Sequence, residues 1–129
     1  MTPELTALAL ALLLQVVQIG LYSILGQRQA GTGAALAPRD EPIALTGRAG
    51  RAKRAMDNHF EGLVLFTAAV AVVTLSGAAS AVTAACAWVY LAARILYVPA
   101  YLYGWTPGRS LVWAAGFLAT VLMVVVALL

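Results

Sequence analysis

The sequence predicts an all-α integral membrane protein, an up-down bundle of four transmembrane helices. Three observations predict it. Of 129 residues, 63% are hydrophobic and only 10% are charged, where a soluble domain carries about 25% charged residues. The apolar residues fall into four runs separated by short breaks rich in Gly and Pro. Six of the eight Lys and Arg lie between Arg28 and Arg54, and the other two, Arg94 and Arg109, flank the last interhelical turn.

The first run, residues 4–26, is apolar except for Gln15 and Gln18. It matches the roughly 20 residues that cross about 30 Å of hydrocarbon. The Met1-Thr2-Pro3-Glu4 start has no basic segment, so the run is expected to be a retained helix, not a secretory signal. Gly26-Gln27-Arg28 is expected to end it, and residues 29–45, with Gly31, Gly33, Pro38, Asp40, Glu41 and Pro42, read as a loop. The second helix is expected over residues 46–76 with Thr46 as N-cap. Its apolar stretch, Gly62 to Leu75, is too short to span alone, so Asp57, Asn58, His59 and Glu61 must lie at membrane depth or at its edge. The third helix is expected over 79–103 after an uncharged turn, and the fourth over 107–129 after Gly104-Trp105-Thr106-Pro107-Gly108. The whole chain, 1–129, is one membrane domain.

Topology follows from the charges. The basic loop and the basic last turn share one side, which the positive-inside rule makes cytoplasmic. Both termini then lie on the opposite side, where Glu4 is the only charged residue. The same rule accounts for the net charge of +3 without nucleic acid. The lone Cys86 sits in an apolar run and reads as a small hydrophobe, with neither a disulfide nor a metal site.

Two helices carry polar stripes. Arg51, Arg54, Asn58 and Glu61 are spaced by three, four and three, which places them on one helical face. A Glu at that depth is costly and faces protein or a water-filled cavity, with Arg54 and Arg51 available to pair with it. Lys53 and Asp57 read as a separate surface pair, and His59, off the stripe, as structural. Tyr90, Arg94, Tyr97 and Tyr101 form a second stripe; an aromatic belt explains Tyr101 and Tyr103, but Arg94 is too deep for it. Arg109 and Ser110 open the fourth helix, where free backbone N–H groups favour an anion, with Trp113 one turn on. Together the faces describe a cation-rich site at the cytoplasmic end, suited to a small ligand with carboxylates and an amine.

These residues also carry a resemblance. The segment Arg51-Ala52-Lys53-Arg54-Ala55-Met56-Asp57-Asn58-His59-Phe60-Glu61 resembles the second-helix signature of the MAPEG family, the membrane-associated proteins in eicosanoid and glutathione metabolism. Ala93-Arg94-Ile95-Leu96-Tyr97 with Ala100-Tyr101-Leu102 resembles its third-helix motif, and Pro107-Gly108-Arg109-Ser110-Leu111 the start of its fourth helix. The resemblance implies a homotrimer of four-helix bundles in a bacterial inner membrane, with glutathione between subunits near the cytoplasmic face. By position it assigns Arg51, Arg54, Asn58, Glu61, Arg94, Tyr97, Tyr101 and Ser110 to cofactor binding, with Arg28 or Gln29 as further contributors. It makes Arg109 the catalytic cation that stabilises the glutathione thiolate. The pattern departs at Met56 and Asp57, where many glutathione-using members have His and Arg, and at Tyr97, where some have His.

The implied activity is transfer of glutathione or a related thiol to lipophilic electrophiles, or reduction of lipid hydroperoxides with it. The implied partners are the bilayer, a second and third copy of the chain, and a small lipophilic substrate, with no nucleic acid. One competing expectation is a non-enzymatic protein of the same fold that binds a lipid or a partner. The other, ranked lower, is a small four-helix transporter.

Overall fold

The computed structural model describes all residues, Met1–Leu129, and contains helices and connections only. The helices are α1 (Pro3–Ala30), α2 (Thr32–Leu36), α3 (Gly47–Leu75), α4 (Ala81–Leu102) and α5 (Gly108–Leu128). All but α2 are long and apolar enough to cross a membrane, so the chain is an integral, multi-pass membrane protein.

Each end has a local cause. The Thr2 hydroxyl accepts from the Leu5 N–H at the start of α1, and Pro3 occupies the first turn, where no N–H partner is needed. α1 runs past Gly26 and Arg28 to Ala30, and Gly31 stops it at φ 88°. Gln27 and Gln29 are good helix formers, so the first effective stop is the glycine that adopts positive φ. The loop also holds the short α2, which the sequence does not announce. Thr46 precedes α3, but its hydroxyl makes no capping bond. Its backbone is held instead by Gln29, whose amide oxygen accepts from Thr46 N at 2.8 Å and whose amide nitrogen donates to Thr46 O at 2.9 Å.

The two later turns repeat one device. Gly77 and Gly104 adopt positive φ after α3 and α4. Ala78 N–H donates to Val73 O, and Trp105 N–H to Ala100 O, while each glycine N–H closes onto Thr74 O or Tyr101 O. This is the six-to-one and five-to-two pairing that satisfies the last carbonyls of a helix. Ser80 and Thr83 then start α4 as a reciprocal capping pair.

α3 and α4 form the centre of the bundle, in contact with each other and with both outer helices. α1 packs on α3 and α4 from one side, α5 packs on them from the other, and the α1 and α5 backbones do not approach each other closely. The core is built from small and medium residues, including Ala7, Ala11, Ala69, Ala87 and Ala119 around Phe66, Tyr90 and Met123. Small residues allow close backbone approach, which supplies the packing that holds helices together in lipid. The Phe66 and Tyr90 rings stack at 3.8 Å between centroids. Outward faces carry Leu12, Leu13, Val16, Leu118 and Leu122, as a lipid-facing surface requires. Glu4 faces inward: it is 1% exposed and accepts from the Thr83 hydroxyl.

Candidate functional site

The start of α3, the end of α4 and the start of α5 meet at one end of the bundle. Arg51 Nη1 donates to the Leu102 carbonyl at 3.2 Å, and Arg54 Nε donates to the Tyr101 hydroxyl at 3.1 Å. The Arg109 guanidinium lies over the Tyr101 ring, 4.7 Å from its centroid. Tyr101 is thus shared by two arginines, one at its hydroxyl and one at its face.

Arg94 lies deeper. It precedes the end of α4 by eight residues, about 12 Å along the helix at 1.5 Å per residue. It is 3% exposed. Its Nη1 donates to Asn58 Oδ1 at 3.0 Å, its Nε to His59 Nδ1 at 3.1 Å, and its guanidinium stacks 4.4 Å from the Tyr97 centroid. Nη2 is buried without a partner, and so is the Tyr90 hydroxyl one turn away.

Two cavities that share Asn58 and Trp113 lie beside Tyr101, Arg109 and Arg94. The outer one, about 260 Å³, is lined by Asn58, Tyr97, Tyr101, Arg109, Ser110 and Trp113. The inner one, about 130 Å³, lies between α3, α4 and α5; its polar walls are Asn58, Glu61, Tyr90, Arg94 and Thr120 and its apolar walls include Leu65 and Phe117. Asn58 and Trp113 belong to both. Together they reach the size of small-molecule sites, about 300–1,000 Å³. Gly62 keeps the inner cavity open, because a Cβ there would come within 3.3 Å of the Tyr90 hydroxyl.

Charge is the distinctive property. The one ion pair in the structure is Lys53–Asp57, 2.7 Å apart on the exposed face of α3. Arg51, Arg54, Arg94 and Arg109 have no carboxylate partner. Of the four only Arg94 is buried, and an isolated buried cation is costly unless neutralised. A metal is not what the four arginines suit, and no group of His, Cys, Asp and Glu is placed to hold one.

The expected site residues therefore gather in one region, with three differences from the sequence reading. Arg51 and Arg54 do not pair with Glu61; they reach across to the end of α4, and Glu61 stands on the rim of the inner cavity without an ion partner. The register between helices decides this, and spacing within one helix cannot reveal it. The backbone N–H groups of Arg109, Ser110 and Leu111 are not free, since they donate to Trp105 O and Pro107 O. The donors left at the start of α5 are the Arg109 guanidinium and the Ser110 hydroxyl. Gln29 is occupied by the Thr46 backbone. Two residues outside the expected set, His59 and Tyr90, join the centre; Tyr90 stood on the Arg94 stripe, but nothing in the spacing marked His59.

No curated protein matches the chain. The sequence model of the MAPEG family matches residues 4–129, nearly its whole length, and the chain belongs to the MAPEG family.

Proposed function

We propose that the protein is a membrane-bound thiol-dependent enzyme that uses glutathione or a related anionic thiol against lipophilic electrophiles or lipid hydroperoxides. The observation that carries this reading is that Arg94 lines the inner cavity and Arg109 the outer one, with Arg54 at the Tyr101 hydroxyl and Arg51 at the Leu102 carbonyl nearby, and none of the four has a carboxylate partner. A thiol tripeptide of the glutathione class has two carboxylates and an ammonium group. Arg51, Arg54 and Arg94 match the carboxylates, and Glu61, free on the rim, matches the ammonium.

Arg109 is the catalytic residue on this reading. The attacking species is the thiolate, and a free thiol has a pKa near about 8.5. A guanidinium held against the Tyr101 face, beside Ser110, favours the ionised form. The thiolate sulphur forms a bond to the electrophilic carbon, and the leaving group departs with its electron pair. The outward Trp113 and Phe117 at the cavity edge give a bilayer-borne acceptor an apolar approach. Asp57, which would repel the ligand's carboxylates, lines neither cavity and is engaged by Lys53. We place the site on the cytoplasmic side, where the basic residues gather, and expect a homotrimer in which a neighbouring subunit closes the open flank.

The test is calorimetric titration of glutathione into protein purified in nanodiscs, followed by conjugate formation with a lipophilic electrophile. Saturable binding is expected, and Arg109→Ala should keep binding while losing the thiolate's ultraviolet absorption. Absence of saturable binding at millimolar thiol overturns the proposal.

A further inference from the structure

His59 is fully buried where α3 meets both α1 and α4. Its two ring nitrogens have different partners. Nε2 is 2.9 Å from the Ala11 carbonyl oxygen of α1, and Nδ1 is 3.1 Å from Arg94 Nε of α4. An arginine has only donors and a carbonyl only acceptors. Nδ1 must therefore accept and Nε2 must carry the hydrogen. Both contacts select the same state, the neutral ring protonated on Nε2; the other tautomer would oppose N–H to N–H at one end and lone pair to lone pair at the other.

This arrangement also determines what Arg94 can offer. Of its five N–H groups, Nε is taken by His59 and one on Nη1 by Asn58. The two on Nη2 have no protein partner, and neither has the neighbouring Tyr90 hydroxyl; both residues line the inner cavity. Two of its three nitrogens are thus engaged and the third, Nη2, is left for a ligand. Asn58 fixes one of them from the rim of the site, whereas His59 fixes the other from the opposite side and is itself anchored to α1.

We propose that His59 is a positioning residue: through Nδ1 it orients Arg94 so that Nη2 and the Tyr90 hydroxyl present donors to an oxygen acceptor of the bound ligand, a carboxylate being the best match. The part concerning ligand rests on the anion-site reading above; the part concerning orientation does not. The orientation of Arg94 then depends on the position of α1, although α1 lines neither cavity.

The chain has a single histidine, so imidazole nitrogen labelling reports on one ring. In nanodiscs the wild type should show a protonated Nε2 and an unprotonated Nδ1. Arg94→Leu should move the Nδ1 resonance and leave Nε2 in place, with Arg94→Lys as the second variant if the first fails to fold. A hydrogen on Nδ1, or an Nδ1 indifferent to both variants, overturns the proposal. The functional arm compares His59→Asn, whose oxygen falls near Nδ1 and keeps an acceptor for Arg94, with His59→Gln, whose amide reaches toward Nε2 and keeps the donor to Ala11. Glutathione Kd should stay near wild type in H59N and rise about tenfold in H59Q, the loss expected for one hydrogen bond to a charged group. Equal losses in the two variants refute the positioning role. Absence of glutathione binding in the wild type refutes the thiol reading instead and leaves the resonance measurement to decide His59.

Discussion

Replacing Asn58 by alanine removes one of the two side-chain acceptors that hold Arg94. Interhelical hydrogen bonds inside a bilayer are weak on average, about 0.6 kcal/mol, because the separated helices find other partners. A bond to a charged group is stronger, about 1.5–3 kcal/mol. Arg94 is 3% exposed, so little solvent is available to replace the lost acceptor. The larger figure should apply, and Asn58→Ala is expected to lower stability by about 2 kcal/mol. Equilibrium unfolding in mixed micelles, followed by fluorescence of the three tryptophans, measures this directly. Lys53→Ala is the reference: its pair with Asp57 is about half exposed on both sides and should contribute about 0.3–0.5 kcal/mol. Asn58→Asp adds the companion result, a stable protein whose Arg94 is neutralised and whose affinity for an anionic ligand is lost. An Asn58→Ala protein no less stable than Lys53→Ala would refute the view of Arg94 as a cation held only by its two acceptors.

Two further outcomes follow from the fold. Gly50→Ala should destabilise, although alanine is favoured over glycine in a helix by about 1 kcal/mol; its Cβ would stand 2.7 Å from the Leu45 carbonyl oxygen, and relieving that contact costs about 1–3 kcal/mol. A raised melting temperature for this variant would contradict the close approach of the loop to α3. Thr83→Val should cost about 1–3 kcal/mol, because it leaves Glu4 buried without its partner and removes half of the α4 capping pair; Thr83→Ser should restore most of it, and equal melting of all three proteins would refute the contact.

The long apolar helices were legible because their signals are local. Four apolar runs, and glycines at the points where the chain must take positive φ, suffice to place α3, α4 and α5. The end of α1 was less legible, since Gln27 and Gln29 give no stop signal before Gly31. The arginine stripes were legible as faces because helical spacing determines which side chains share a side. Their partners were not, because Arg51 and Arg54 meet Tyr101 and Leu102 only through the register of α3 against α4. His59 stayed hidden for a related reason. A stripe argument assumes one inward face, and α3 is packed by α1, α4 and α5 together; the residue next to Asn58 turns toward a different neighbour and is equally enclosed. The enclosure of Glu4 was not legible either, because a charge at a helix end is ordinarily wet and only the position of Thr83 on α4 shows its partner.

The buried Arg94 bears on biogenesis. A lone arginine near the middle of a helix entering the membrane costs about 2.5–3.5 kcal/mol at the translocon, and α4 leaves the ribosome carrying one. Its acceptors, Asn58 and His59, belong to the helix made just before it, across a turn of only a few uncharged residues. α3 and α4 are therefore suited to partition into lipid as a hairpin, with the guanidinium already satisfied on arrival. Insertion of α4 alone into microsomes should be less efficient than insertion of the α3–α4 pair, and Asn58→Ala with His59→Leu in the pair should remove the difference. Equal insertion of α4 with and without α3 would mean that its apolar residues carry the arginine unaided.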